Sequence, residues 1–481
     1  MKVLFVASEV TPYAKTGGLA DVSAALPRHL GRAGHDVRVL MPLYDRTDTS
    51  RLHLETVVPE LELRLGRHRY AAKIFRGASD PEIHFLHCPA LYSRGAIYTH
   101  DDDEHRRFLA LSYGAIALCQ RTGFAPDIVH ANDWHAALLP MILKAFHTRD
   151  PLFATTRSVL TIHNLNYQGS FSSHILPDTN LAGVSHLFHQ DQLRAGRVNF
   201  LLHGLLYADA VNAVSPTYAR EIQGPDHGVG LDPFLRARSS TVVGILNGVD
   251  YEEWSPERDR HIPHPYSRDD LTGKELNKEA LCTGLGLPYI KGIPLVGIVS
   301  RLVRQKGLDL LEAVMPDLLR RNGFQFVVLG SGEKGLEDLF FRMQRAFPRQ
   351  VCFYRGFSEP LAHLIEAGAD MFLMPSRYEP CGLNQLYSLR YGTVPIVHRT
   401  GGLADSVTQF DPRTGEGTGF SFEQHDEAGV RWGLEAALRT YRDAATWRRV
   451  VENGMAQDFS WEKQRKLYEL LYHRLHNRQQ G

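Results

Sequence analysis

Three short loops combine charged residues with glycine, two of them with a glycine pair. Lys15-Thr16-Gly17-Gly18-Leu19-Ala20-Asp21 follows an apolar run near the start of the chain. Ser300-Arg301-Leu302-Val303-Arg304-Gln305-Lys306-Gly307 follows a second such run past the middle. Glycines just before a helix let backbone N–H groups approach an anion, and the positive helix end with a nearby lysine favours phosphate. Arg301 offers a planar bidentate donor and Lys306 a mobile point charge, a division of labour suited to a diphosphate. The first loop alone reads equally well as a tight turn with a solvated lysine, and two basic residues in a loop such as the second are, taken alone, more often solvent-facing. Cations after the first strand of both halves tip the balance toward an anion. Thr400-Gly401-Gly402-Leu403-Ala404-Asp405 nearly repeats Thr16 to Asp21, and a second glycine pair strengthens the diphosphate reading.

Other segments carry polar groups beyond strand ends. His130-Ala131-Asn132-Asp133-Trp134-His135 and His163-Asn164-Leu165-Asn166-Tyr167-Gln168-Gly169 mix hydrogen-bonding and aromatic side chains. That mixture suits a sugar, whose hydroxyls need directed bonds and whose apolar faces stack on rings. A metal reading of His130, Asp133 and His135 is weak, since no further clustered ligand set accompanies them. Asn247-Gly248-Val249-Asp250 is by default a turn. In Glu379-Pro380-Cys381-Gly382-Leu383 the proline and glycine shape a turn whose N–H groups can meet phosphate or sugar oxygen. Cys381 has no paired base to make it a nucleophile. Gly330-Ser331-Gly332-Glu333-Lys334-Gly335 matches the dinucleotide fingerprint letter for letter. The expected acidic residue about 20 positions on is missing, however, and Tyr354, Arg355 and Gly356 stand there instead.

The elements that must hold these loops are legible as short apolar runs. Val3 to Ala7 reads as a strand, Leu19, Val22, Leu26 and Leu30 as one helix face, and Val37 to Met41 as the next strand. Further strands are expected at Ile83–Leu86, Ile128–Val129, Val159–Ile162 and Ala210–Val214. A second series runs through Leu295–Val299, Phe326–Leu329, Val351–Phe353, Met371–Met374 and Val394–Val397. Strands alternating with helices predict an α/β chain of two doubly wound, Rossmann-like domains, with the ligand at the carboxyl ends of the strands where the halves face each other.

The chain has 481 residues, 54 Lys+Arg and 54 Asp+Glu, 43% of it hydrophobic. Neutrality excludes a basic nucleic-acid module, and the apolar content excludes disorder. The length exceeds what one core of roughly 250 to 300 residues serves. Five scattered cysteines with no Cys-x-x-Cys pair suit a reducing compartment, and no membrane-length apolar run or leader is evident, so a cytoplasmic protein is expected.

Taken together, the segments resemble the bacterial glycogen synthase and plant starch synthase family of glycosyltransferases. K-T-G-G-L-A-D at Lys15, H-A-N-D-W-H at His130, H-N-L-N-Y-Q-G at His163, V-S-P-T-Y-A-R-E-I at Val214, N-G-V-D at Asn247, R-L-V-R-Q-K-G at Arg301, E-P-C-G-L at Glu379, T-G-G-L-A-D at Thr400 and D-F-S-W at Asp458 carry the likeness. It implies the GT-B type of fold, with domains at 1–246 and 247–461 and a last helix, about 462–481, returning to the first domain. It also implies glucose transfer from ADP-glucose to the non-reducing-end 4-hydroxyl of an α-1,4-glucan, with retention and without metal or other cofactor. By position, Lys15, Gly17, Gly18, Arg301 and Lys306 are expected to hold the diphosphate, with N–H donors from Thr400, Gly401 and Gly402. Asp21, His163, Asn164, Asn247, Glu379 and the Cys381-Gly382-Leu383 backbone are expected around the donor glucose, and Asp133, Trp134 and Tyr167 on the sugar and acceptor side.

Phe357 stands where relatives often have tyrosine, which keeps a ring for the purine and removes a phenolic hydrogen bond. Pro233 replaces a frequent glycine and alters a local turn. Stacking residues leave ADP and UDP both open. Three rival readings are a glucan-binding protein that has lost catalysis, a nicotinamide oxidoreductase and a phosphorylase. The intact Lys15, His163, Arg301, Lys306 and Glu379 oppose the first; the missing ribose acid opposes the second; the chain's shortness and the lack of a pyridoxal-phosphate lysine segment oppose the third.

Overall fold

The computed structural model describes residues 1–50, 52–79 and 81–477. The chain divides into two compact units, Met1–Gly248 with Trp461–Gly481, and Val249–Ser460.

The first unit is built on a nine-stranded sheet in the order β11-β10-β7-β6-β1-β2-β5-β4-β3. In chain order these are β1 Lys2–Val6, β2 Asp36–Pro42, β3 Leu54–Leu65, β4 His68–Gly77, β5 Glu82–His87, β6 Ile128–Asn132 and β7 Arg157–Ile162. After a small separate ribbon, β8 Ser170–Ser172 with β9 Arg197–Asn199, come β10 Ala210–Ala213 and β11 Val242–Gly244. Strands β1, β2, β5, β6, β7, β10 and β11 are parallel, so their carboxyl ends lie along one edge. The helix Gly18–Arg32 buries Leu19, Val22, Leu26 and Leu30, the stripe its 3.6-residue spacing predicts.

One departure from the expected all-parallel sheet is the antiparallel pair β3–β4, which extends the sheet beyond β5. Leu61, Leu63 and Leu65 are buried while Glu60, Glu62 and Arg64 between them face solvent. That alternation marks a strand with one wet face, and its charged half masks it from a search for continuous apolar runs.

The last helix, Trp461–Asn477, belongs to this unit and buries Trp461, Tyr468, Leu471, Tyr472 and Leu475. The Tyr472 hydroxyl lies 2.7 Å from Nδ1 of His130, and Asn212 donates to the Tyr468 hydroxyl at 3.2 Å. Residues 478–481 of the expected helix lie outside the described residues.

The second unit has a six-stranded, wholly parallel sheet in the order β14-β13-β12-β15-β16-β17. Its strands are β12 Leu295–Val299, β13 Gln325–Gly330, β14 Val351–Arg355, β15 Met371–Met374, β16 Val394–His398 and β17 Phe420–Phe422. Alternate residues enter opposite cores: Val296, Ile298, Phe326, Val328, Met371 and Leu373 on one face, Leu295, Val327, Leu329, Phe372 and Met374 on the other. Burial on both faces explains the near-continuous apolar runs that made these strands easy to read. Among the described residues no helix is long and apolar enough to cross a membrane, and all five cysteines are free.

Candidate active site

In the second unit every expected residue follows the carboxyl end of a strand. Arg301 and Lys306 lie in the loop after β12, Phe357 follows β14, Glu379 to Leu383 follow β15, and Thr400 to Gly402 follow β16. Lys306 Nζ sits 2.6 Å from Glu379 Oε2, and the Ser376 hydroxyl donates to the same oxygen at 2.9 Å. Both contacts fall on Oε2, and Glu379 Oε1 has no protein partner among the described residues. Arg301 is exposed, and nothing among the described residues pairs with its guanidinium. The site therefore holds one cation neutralised by a buried acid and one left unneutralised. Phe357 presents its ring to solvent, with the residue 77% exposed.

Glycines knit these loops together by permitting backbone contact. A Cβ on Gly401 would lie 1.9 Å from the Glu379 carbonyl oxygen, one on Gly402 2.0 Å from that of Cys381, and one on Gly307 1.9 Å from that of Pro375. Gly402 N–H donates to Glu379 O at 3.0 Å, and Thr400 N–H to His398 O at 2.9 Å. These two N–H groups, expected to meet a phosphate, are already engaged. The Thr400–Gly402 loop clamps the Glu379–Cys381 turn. The dinucleotide-like run has the same explanation, because Cβ atoms on Gly330 and Gly332 would fall 2.1 Å from Ser300 O and 2.2 Å from Leu302 O. Its glycines let the Arg301 loop rest on the strand-to-helix turn after β13.

In the first unit the parallel edge gathers the loops after β1, β6, β7 and β11. Lys15 Nζ pairs with Asp21 Oδ1 at 2.6 Å, and both side chains are partly exposed. Sequence reasoning missed Glu9, which is buried just beyond β1. Its carboxylate accepts from Thr16 Oγ at 2.7 Å, from the Thr16 N–H, from Gly17 N–H at 3.3 Å and from the Tyr98 hydroxyl. So the Gly17 N–H also serves an internal acid rather than standing ready for an anion. Gly17 and Gly18 still form the start of the helix Gly18–Arg32, with Glu9 answering its positive end. The signal for Glu9 was its position, an acid directly after a buried strand and before the glycine pair.

Asp133, after β6, holds the left-handed φ of 51°. Such a conformation costs roughly 1–3 kcal/mol and clusters at functional sites. Its carboxylate accepts the His163 backbone N–H at 2.7 Å, tying the end of β7 to the end of β6. Burial lifts the Asp133 carboxyl to about 7, against the pull of the His163 and Asn164 backbone N–H groups. Burial also holds the His163 ring down to about 3, so it is a neutral imidazole, with Nε2 3.1 Å from Asn132 Oδ1. His130 bonds Tyr472 and Thr161 through its two ring nitrogens and packs on Phe5, which removes it from any metal set. Asn247, just beyond β11, is buried, and its Oδ1 has no hydrogen-bond partner. Trp134 packs on Gly169, where a Cβ would lie 2.3 Å from the indole, and Tyr167 is exposed.

Residues 2–237 match the family model described as starch synthase catalytic domain, and residues 290–454 that of glycosyl transferases group 1. A glycogen synthase of Anaeromyxobacter sp. (strain Fw109-5) is 45% identical over 99% of this chain and 99% of its own. One from Koribacter versatilis (strain Ellin345) is 45% identical over 98% of each.

The chain belongs to the glycogen synthase family.

The catalytic domain of starch synthase IV from Arabidopsis thaliana, solved bound to ADP and acarbose, has the same fold at a TM-score of 0.92 and 36% identity, over 99% of both chains. Sucrose-phosphate synthase from Thermosynechococcus elongatus shares the fold alone, with a TM-score of 0.62 at 16% identity over 98% of both. The fold is the two-domain GT-B type, and this family member is a glycosyltransferase of glycogen or starch synthesis.

Proposed function

We propose that this glycosyltransferase uses ADP-glucose and extends the non-reducing end of an α-1,4-glucan at its 4-hydroxyl, retaining the anomeric configuration. The observation that carries the reading is the loop after β12, where Arg301, unpaired among the described residues, stands in one short loop with Lys306, itself fixed by Glu379 at 2.6 Å. Negative charge grows on the diphosphate as the glycosidic bond breaks. Cations held in place before that moment stabilise the departing group more than the bound donor, which is what lowers a barrier. The ADP and acarbose of the starch synthase IV relative support a nucleotide donor and a glucan-like acceptor.

In this reading Arg301 and Lys306 of the C-terminal unit hold the diphosphate, and Lys15 is an anion-binding residue of its own loop, paired with Asp21 at 2.6 Å. Glu379 Oε1 in the C-terminal unit and Asn247 Oδ1 in the N-terminal unit, each without a protein partner among the described residues, are the acceptors for sugar hydroxyls on their own units. Asp21, Asn164 and the Cys381-Gly382-Leu383 backbone complete the sugar's hydrogen bonds. The His163 main chain, oriented through its N–H to Asp133, lies by the oxocarbenium-like centre. Phe357 stacks on the base, and Asp133, Trp134 and Tyr167 serve the acceptor side. Free cysteines throughout fit a cytoplasmic enzyme.

The test is kcat/KM for ADP-glucose and UDP-glucose on one glucan primer, with the new linkage read by proton NMR. The expected result is a clear preference for ADP-glucose and an α linkage. A UDP-glucose preference overturns the donor assignment, and a β linkage overturns retention.

A further inference from the structure

A side-chain cluster in the C-terminal unit, outside the cation loops, has the composition of a transition-metal site. His261, Glu359 and His363 each offer one ligand atom, and these atoms lie within 4.8 Å of one another. Glu359 and His363 are four residues apart on the helix Glu359–Gly368, so one face carries both. His261 reaches them from the segment that follows Asp259.

The two histidines are held by one buried acid. Asp259 accepts the His261 backbone N–H through Oδ1 at 2.8 Å and the Nδ1 of His363 through Oδ2 at 2.8 Å, with the Tyr391 hydroxyl on that second oxygen at 2.6 Å. A carboxylate on Nδ1 fixes the tautomer and leaves the lone pair on Nε2, the outer-shell arrangement that presents a histidine to a metal. Nε2 of His363 is buried without a hydrogen-bond partner, in a residue 0% exposed. A buried acceptor with no donor is costly unless a ligand takes its lone pair. Trp254 stacks on the ring, centroids 3.7 Å apart and planes 16° apart, which fixes its direction.

We propose that His363 Nε2, His261 and Glu359 bind a divalent first-row transition ion of the zinc class. Two imidazoles with one carboxylate select such an ion over magnesium or calcium, which prefer oxygen. Bonds of about 2.0–2.2 Å bring tetrahedral ligand atoms to roughly 3.4 Å apart. The exposed Glu359 and half-buried His261 can close on the fixed His363 ring to reach that spacing. Arg260 Nε, which donates to His261 Nε2 at 3.3 Å, is the competing cation and gives way on binding. The ion clips the segment around His261 to the helix Glu359–Gly368. It uses none of the groups assigned to the diphosphate or the sugar, so it acts on stability and leaves turnover alone.

The experiment is calorimetric titration of the full-length, chelator-stripped chain with zinc chloride and with magnesium chloride, with thermal midpoints in parallel. One zinc per chain, a raised midpoint and no magnesium effect are expected. His261→Ala and Glu359→Ala, both outside the buried core, are expected to weaken zinc binding at least roughly tenfold with unchanged kcat, whereas Arg260→Ala tightens it. Zinc binding equal in the native chain and His261→Ala, or a magnesium response equal to that of zinc, overturns the site.

Discussion

Arg301 and Lys306 share a loop and an assigned role but differ in what they do for the folded chain. Lys306 neutralises Glu379, which is buried, whereas Arg301 is exposed and pairs with nothing among the described residues. Arg301→Ala is therefore expected to leave stability within about 0.5 kcal/mol while kcat falls by roughly 10²- to 10³-fold. Lys306→Ala loses similar activity but also strands the Glu379 carboxylate. Because the lysine is partly solvated, that cost is on the order of 2 kcal/mol rather than that of a fully buried pair. Urea unfolding beside initial rates checks both; equal stability losses contradict the distinction. These cations were legible in the sequence because a charge after an apolar strand is visible by type and place. Glu9 carried the same signal of a charge after an apolar strand, but its type says nothing of its role as an internal cap on the glycine loop; Ser376 carried no signal, since nothing in its spacing says that a serine will brace Glu379.

At the scale of elements, the glycines decide how closely loops from neighbouring strands approach. Gly332 meets the Leu302 backbone, which cannot move aside as a side chain would. Gly332→Ala is expected to displace the Arg301 loop, lowering kcat at least roughly tenfold and stability by about 1–3 kcal/mol, though no charged group is removed. Native kcat in that variant counts against loop packing as the reason for the glycine run. The buried parallel strands of the second unit were readable because both faces are apolar. The β3–β4 pair was not, because its wet face interrupts each apolar residue with a charge, and the ends of β8, β9, β11 and β17 are too short to show a period.

For the whole molecule, buried titratable groups set an acid limit. Burial holds His130 and His163 down to about 3 and His84 and His203 down to about 4. The unfolded chain, with histidine near 6.5, binds more protons over that interval, so stability rises with pH up to about 6.5. Burial lifts Asp133 to about 7 and Glu366 to about 8. There the native state binds more protons above about 4, and stability falls as pH rises through the window. Four imidazoles outweigh two carboxyls between about 4.5 and 6, so the thermal midpoint is expected to drop as pH is lowered from 6.5 to 4.5. A flat or rising midpoint contradicts the neutral burial of those rings. The two-unit plan was legible from repeated strand-and-helix series; the return of the last helix to the first unit came only through family resemblance, since its own spacing names no partner.

The account turns on fixed protein cations, rather than a bound divalent ion, drawing the diphosphate away from glucose. Its most direct measurement is steady-state turnover of ADP-glucose on a glucan primer with and without excess EDTA, for the native chain and Arg301→Ala. The account predicts native turnover unchanged by the chelator, and a loss of roughly 10²- to 10³-fold in the variant that added magnesium does not restore. Abolition of native turnover by EDTA, or near-native turnover in Arg301→Ala, would contradict it.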